Sequence, residues 1–128
     1  MRVLLDTHAL LWWLAGDAKL SPRAKRSIAD QRHEIFVSAA SAWEVATKHR
    51  IGKLPGAGPL AVDFARVIRS QGFTALPISI EQAQVAGELP GDHRDPFDRM
   101  LIAQAREERL ALVSSETLFD DYGITRIW

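Results

Sequence analysis

The chain of 128 residues contains no cysteine, a single tyrosine and no excess of charge of either sign. Without cysteine it can form neither a disulfide nor a thiolate metal site, which is typical of a protein of the cytoplasm. Sixteen basic residues balance sixteen acidic residues. No overall field therefore draws the chain to nucleic acid or to a membrane, although a local basic rim can still bind RNA.

Long apolar runs are also missing. The longest, Ala9 to Ala15, is far below the roughly 20 residues that cross a bilayer. The N-terminus has no basic segment followed by a removable apolar stretch. We therefore expect a soluble, cytoplasmic protein without a membrane partner. The length, with 47% hydrophobic and 25% charged residues, predicts one globular domain over residues 1–128.

Short β-branched or leucine-rich segments alternate with helical patterns along the chain. This alternation predicts an α/β protein, a three-layer α/β/α sandwich around a central, mainly parallel sheet of about five short strands. The Gly/Pro-rich break at 55–59 is interpreted as a loop between helices. Strands are expected at 2–5, 34–37, 73–76, 110–113 and 124–127, and helices at 8–15, from 22, at 39–50, from the break to about 71, from about 79, and at 96–108.

Five acidic residues stand near the ends of predicted strands or in the first turns of predicted helices. They are Asp6, Glu44, Asp95, Asp98 and Glu116. In a parallel α/β sheet, ligands bind beyond the carboxyl ends of the strands. Carboxylates that converge there repel one another unless a cation lies among them. The pattern therefore indicates a site for a hard metal ion.

The first two acids also have simpler structural interpretations. Asp6 is as good a helix cap as it is a metal ligand, and Thr7 could cap the helix in its place. Glu44 ends the stretch Ser41-Ala42-Trp43-Glu44, which fits a capping box. It also precedes Lys48 by four residues, the spacing of a surface ion pair. Taken alone, Glu44 favours a structural role.

The remaining acids have such alternatives as well. Asp95-Pro96-Phe97-Asp98 is a strong helix start, with one aspartate at the N-cap and the other near the positive end of the helix dipole. Glu116 could be a solvated loop acid. The case for a metal site thus rests on several acids falling at the strand ends of one sheet.

Four segments, in this order and at these separations, carry a resemblance to a known family. They are Leu4–His8, Ser38–Ala46, His93–Ala105 and Leu112–Glu116. They resemble the PIN-domain ribonucleases and, among them, the VapC toxins of bacterial type II toxin–antitoxin pairs. Because the resemblance covers nearly the whole chain, it implies a single PIN domain over 1–128.

The resemblance implies an endoribonuclease that binds Mg²⁺ or Mn²⁺ and cuts RNA, leaving a 5′-phosphate and a 3′-hydroxyl. Carried over by position, the first three family acids match Asp6, Glu44 and Asp98. The fourth, usually aspartate, matches Glu116, which is one methylene longer. Asp6 and Asp98 are expected as the principal metal ligands and Glu44 as a ligand or the holder of a bound water, while Glu116 completes the catalytic pocket.

Further residues are expected to support this site. Asp95 resembles an additional acid of the subgroup, and Thr7 and Ser115 are hydroxyls that orient carboxylates or cap turns. Arg99 is the best basic candidate for a backbone phosphate or for orienting an acid. Five more side chains could belong either to the site or to the solvated surface: His8, His93, Lys48, Arg50 and Lys53. In the first interpretation, the last three form a basic rim that binds RNA.

Apolar side chains in excess of a single core stripe predict interfaces. Trp12, Trp13 and Leu14 form too wide a surface for one stripe, although core packing accounts for most of it. The resemblance implies a homodimer and a cognate small antitoxin protein, VapB-like, that buries a short amphipathic segment near the cleft.

Other classes of protein fit the sequence less well. A haloacid dehalogenase needs a second aspartate where His8 stands, and a receiver needs a lysine where Ser114 follows the late strand. The alternative that stays open is a catalytically silent metal- or RNA-binding regulatory module of PIN-like fold.

Overall fold

The centre of the molecule is a sheet of five parallel strands. In the computed structural model, which describes residues 1–128, the strand order is β3-β2-β1-β4-β5. The strands are β1 (Arg2–Leu5), β2 (Glu34–Ser38), β3 (Thr74–Leu76), β4 (Ala111–Val113) and β5 (Arg126–Ile127). The chain adds strands on one side of β1 and then on the other. The order therefore reverses between β1 and β4, the place where open α/β sheets bind ligands.

Helices cover both faces of the sheet. They are α1 (Thr7–Ala15), α2 (Pro22–Ala29), α3 (Ala39–Arg50), α4 (Gly58–Val62), α5 (Phe64–Ser70), α6 (Ile80–Glu88) and α7 (Pro96–Glu107). Val3 and Leu5 of β1 join a core cluster with α1 and α2, whereas Leu4, pointing the other way, joins a cluster with Leu101 and Ile102 of α7. Each central strand thus buries both faces, and the predicted three-layer α/β/α fold with a parallel sheet is confirmed.

Two details of the sequence prediction are wrong. The segment 55–59 is not a loop, because Pro55–Ala57 forms a 3₁₀ turn that leads directly into α4. The single helix expected up to residue 71 is two helices. Asp63 separates them, and its side chain caps α5 by accepting the N–H of Arg66 at 3.2 Å. A further 3₁₀ helix, Thr117–Tyr122, was not predicted.

Two helices begin directly where strands end, and this positions the acids. Asp6 follows β1 and is the N-cap of α1, while Ser38 is both the last residue of β2 and the N-cap of α3. With no loop between strand and helix, side chains at these junctions have little freedom to move. None of the helices combines the length and apolar character needed to cross a bilayer.

Candidate active site

Asp6 is buried at the junction of β1 and α1. Its Oδ1 accepts the N–H of Ala9 at 2.7 Å, and its own N–H donates to the carbonyl of Val113 at 3.1 Å. Burial raises the pKa of Asp6, because hydrogen bonds from Ser114 and Ala9 offset only part of the lost hydration. Asp6 therefore caps the helix and also carries a carboxyl group at the reversal point. The alternative that Thr7 caps α1 in its place is wrong.

Glu44 lies on α3, and both of its carboxylate oxygens are held. Oε1 accepts from the hydroxyl of Thr7 at 2.6 Å, and Oε2 accepts from the ammonium of Lys48. Ser41 Oγ lies 3.0 Å from Thr7 Oγ1 and can donate to it. Because Ser38 caps this helix, the capping box predicted at Ser41 is wrong. The ion pair exists but is no surface pair, since Glu44 is only 5% exposed.

Asp95 and Asp98 make different hydrogen bonds at the start of α7. Asp95 Oδ1 caps the helix by accepting the N–H groups of Phe97 at 2.9 Å and Asp98 at 3.2 Å. Asp98 Oδ2 instead lies 3.0 Å from Nε2 of His93. Burial raises the pKa of Asp98 to about 7, with the charges of Asp95 and then Glu116 adding to the effect. Asp95 thus caps the helix, whereas Asp98 lies close to other carboxylates.

Glu116, which follows β4 in the chain, is a further acid that acts on Asp6 and Asp98. Its charge raises the pKa of both Asp6 and Asp98, and its side chain caps no helix. Its N–H donates to the hydroxyl of Ser114 at 3.0 Å. This serine is fully buried, and its hydroxyl lowers the pKa of Asp6. Ser115, the hydroxyl expected from the sequence, is exposed instead. Strand alternation was the available signal, because Ser114 continues the ladder by donating its N–H to Ile127.

Arg99, expected from the sequence to bind a backbone phosphate or to orient an acid, has its guanidinium bound to main-chain acceptors. Its guanidinium donates to four main-chain carbonyl oxygens, two in the last turn of α6 and two in the segment between α6 and α7, at 2.6 to 3.3 Å. One of them belongs to His93, whose ring faces Asp98. Arg99 therefore acts as a clamp on the segment that carries His93. The sequence could not show this, because the acceptors are main-chain atoms brought near only by the turn before α7.

The donor set fits a hard divalent cation with a water-rich shell. No three His, Asp or Glu side chains approach closely enough to enclose a metal ion by themselves. Mg²⁺, however, is usually bound through one or two carboxylates and keeps several waters. Asp6, which is buried, and Asp98, which is partly buried, both have raised pKa values. A cation would relieve the negative charge that crowds them, and no sulfur ligand competes.

An apolar cavity of about 230 Å³ lies beside the acids, between α3, α6 and α7. Trp43, 62% exposed, stands edge-on to Phe97 at a ring-centroid distance of 5.0 Å on one side of it. None of the five acids lines this cavity. The cavity is therefore a neighbour of the acidic site and not the place of its chemistry.

The fold and the acids together define a class, the parallel α/β proteins with acidic side chains at the carboxyl edge of the sheet. The family follows from comparison with known proteins. The chain belongs to the PIN domain family, whose model matches residues 3–124. This confirms the resemblance seen in the sequence.

Two curated relatives are ribonucleases of Mycobacterium tuberculosis. The chain is 30% identical to ribonuclease VapC22 over 117 residues, which cover 89% of this chain and 86% of the relative. It is 41% identical to ribonuclease VapC16 over 73 residues, 57% of this chain and 49% of the relative. The match thus spans about half the length of VapC16.

Solved structures share the fold at low sequence identity. VapBC2 from Rickettsia felis, bound to a DNA fragment from its promoter, gives a TM-score of 0.68 at 15% identity, covering 98% of this chain and 97% of that one. VapC20 of Mycobacterium tuberculosis, a sarcin-ricin loop cleaving toxin, gives 0.65 at 18% identity, covering 96% of each chain. These likenesses support the fold assignment.

Proposed function

We propose that this PIN domain is an endoribonuclease toxin of the VapC type whose cleavage requires Mg²⁺ or Mn²⁺. The observation that carries the proposal is Asp98, a partly buried acid whose pKa is raised to about 7 by loss of hydration and by neighbouring carboxylates. Such an arrangement destabilises the empty site and favours a bound cation. The ribonuclease names of VapC16 and VapC22 support the reaction class.

Each acid has a distinct part in this reaction. Asp6 and Asp98 would hold the cation, and Glu116 would add negative charge near both of them. When bound, Mg²⁺ or Mn²⁺ polarises a phosphoryl oxygen and offsets the charge on the scissile phosphate. Glu44, fixed by Thr7 at 2.6 Å, orients the attacking water. The proposed products carry a 5′-phosphate and a 3′-hydroxyl.

The alternative of a catalytically silent regulatory module is not favoured. A domain that had lost catalysis would be expected to lack one of the four acids, and all four positions are filled here. The curated relatives also carry ribonuclease names.

Cleavage of RNA by the purified chain tests the proposal. We expect labelled RNA to be cut in Mg²⁺ or Mn²⁺, cutting to stop in EDTA, and activity to return when metal is added back. Asp6→Asn protein, purified in the same way, serves as the control for contaminating nuclease, since asparagine still caps α1. Cutting that persists in EDTA or in the Asp6→Asn protein would contradict the proposal.

We further propose that the protein acts in the cytoplasm as a homodimer and is inhibited by a small VapB-like antitoxin. Trp12 and Trp13, only half-buried along α1, pack against Trp128 and Phe73 with centroid distances of 5.8 and 6.4 Å. They leave apolar surface for a partner. Co-purification with the product of a neighbouring small reading frame, loss of RNA cleavage in the complex, and the mass of the free protein by light scattering test these points.

A further inference from the structure

Lys48 is the one lysine whose ammonium reaches into the acidic site. It donates to Oε2 of Glu44, and its side chain remains 30% exposed. The charges of Asp95 and Asp98, as well as that of Glu44, act on it. Lys48 is therefore not a member of a solvated helix face, as the sequence also allowed. It lies between the catalytic acids and solvent.

Other basic side chains near the site either bind different acceptors or point into solvent. Arg99 is taken up by four carbonyl oxygens, and Arg126 is paired with Asp120 at 2.9 Å. Arg50 at the end of α3 and Lys53 after it are exposed and make no side-chain hydrogen bond. Unlike these four side chains, Lys48 combines a hydrogen bond to one of the acids with donors that remain available.

Holding Glu44 uses only part of what Lys48 offers. An ammonium has three N–H donors, and a single protein acceptor, Glu44, contacts this one. Thr7 already orients the same carboxylate from its other oxygen at 2.6 Å. An RNA phosphate that approaches these acids meets repulsion, which a nearby fixed positive charge reduces.

We propose that Lys48 is a substrate-binding residue whose ammonium donates a hydrogen bond to a phosphate oxygen of the RNA beside the acids. The inference rests on the proposed ribonuclease function and adds a named substrate contact to it. It separates Lys48 from Arg50 and Lys53, with which the sequence had grouped it as a basic rim.

The experiment must separate contact with RNA from support of Glu44. Replacing Lys48 by methionine leaves a buried carboxylate without its cation, which by itself destabilises the fold. We therefore place Lys48→Met in a Glu44→Gln background, where that carboxylate is gone. All variants also carry Asp98→Asn, so that affinity is measured without turnover. The probe is a fluorescent single-stranded RNA of mixed sequence.

We expect the Glu44→Gln protein to bind this RNA about tenfold more tightly than the Glu44→Gln/Lys48→Met protein, the low end for a charge-assisted hydrogen bond. The dependence of log affinity on log salt should also become shallower by about 0.7, as for one lost phosphate contact on a single strand. Lys48→Arg should keep most of the affinity. Lys25→Met, which removes an exposed lysine of α2, should change neither quantity.

Equal RNA affinity with and without Lys48 in the Glu44→Gln background would overturn the inference and leave Lys48 as a partner of Glu44 only. That outcome would not touch the proposed function, which is tested by cleavage in the otherwise unaltered protein. Conversely, absence of metal-dependent cleavage by that protein would remove the proposed function, whatever the binding data show.

Discussion

Aspartates at the two ends of the sheet have pKa values shifted in opposite directions. Before β2, at the amino end, Asp30 accepts the guanidinium of Arg32 at 2.9 Å, and this pairing lowers the pKa of Asp30. At the carboxyl end, burial and the nearby carboxylates of Asp95 and Glu116 raise the pKa of Asp98. An aspartate with its own arginine needs no further cation. One that lies among other acids, such as Asp98, is the aspartate that we propose binds a metal ion.

The largest difference is expected in catalysis. Asp98→Asn and Asp30→Asn make the same chemical change at the two ends of the sheet. Asp98→Asn should lower the rate of RNA cleavage roughly 100-fold or more, as is typical when a group that stabilises the transition state is lost. Asp30→Asn should leave the rate unchanged. Equal rates in the two variants, measured at limiting Mg²⁺, would show that Asp98 is only a helix residue.

A metal ion should stabilise the protein through the carboxyl end of the sheet only. A ligand at a hundredfold excess over its Kd adds about 2.7 kcal/mol to the free energy of unfolding, or roughly 10 °C in Tm for a chain of this length. Thermal melts in Mn²⁺ should show this gain in the unaltered protein and in Asp30→Asn. The gain should be absent in Asp98→Asn, and identical melts of the unaltered protein with and without metal would refute the site.

The pH dependence of stability without added metal should also distinguish the two acids. Between its ordinary pKa of 3.8 and about 7, Asp98 keeps a proton in the folded state that the unfolded chain has released. Stability from this group is therefore complete below pH 3.8 and is lost as pH rises toward 7. After allowance for solvent screening, the loss is on the order of 1–2 kcal/mol.

Urea titrations across this range should reveal the loss in the unaltered protein and a flatter profile in Asp98→Asn. Asp30, with its pKa lowered by Arg32, works in the opposite direction. Its contribution is present above its ordinary pKa and disappears as the solution is acidified. A profile that Asp98→Asn leaves unchanged would show that another group titrates here.

The smallest effect is expected at Asp95, the acid that caps α7. Asparagine caps about as well, so Asp95→Asn should lose only the favourable charge near the helix dipole, worth roughly 0.3–1 kcal/mol. Removing this charge also relieves Asp98, whose pKa should fall. Cleavage should be reduced but not abolished. The Tm of Asp95→Asn and its cleavage rate measure both parts, and a loss of cleavage as large as that of Asp98→Asn would place Asp95 among the ligands.

Local patterns predicted much of this molecule. The alternation of apolar strands and amphipathic helices led to the parallel α/β/α fold, because buried strands and helix faces have different periods. Asp95 followed by proline identified the start of α7, and the helix expected from about residue 79 begins as α6, where Ser79 and Gln82 form a capping box. Such features depend on residues close in the chain, whose geometry is set before any tertiary contact forms.

Tertiary contacts decided which partner each side chain of the site binds. Thr7 turns to Glu44, 37 residues away, and Arg99 turns to the carbonyls before α7. Ser114 rather than Ser115 faces Asp6. A hydroxyl or guanidinium bonds whatever acceptor the packed chain brings within reach, and its neighbours in sequence do not name that acceptor. The sequence alone determined which acids were present. Only the folded structure decided which of them cap helices, which pair with a basic side chain and which have their pKa raised by burial and by neighbouring acids.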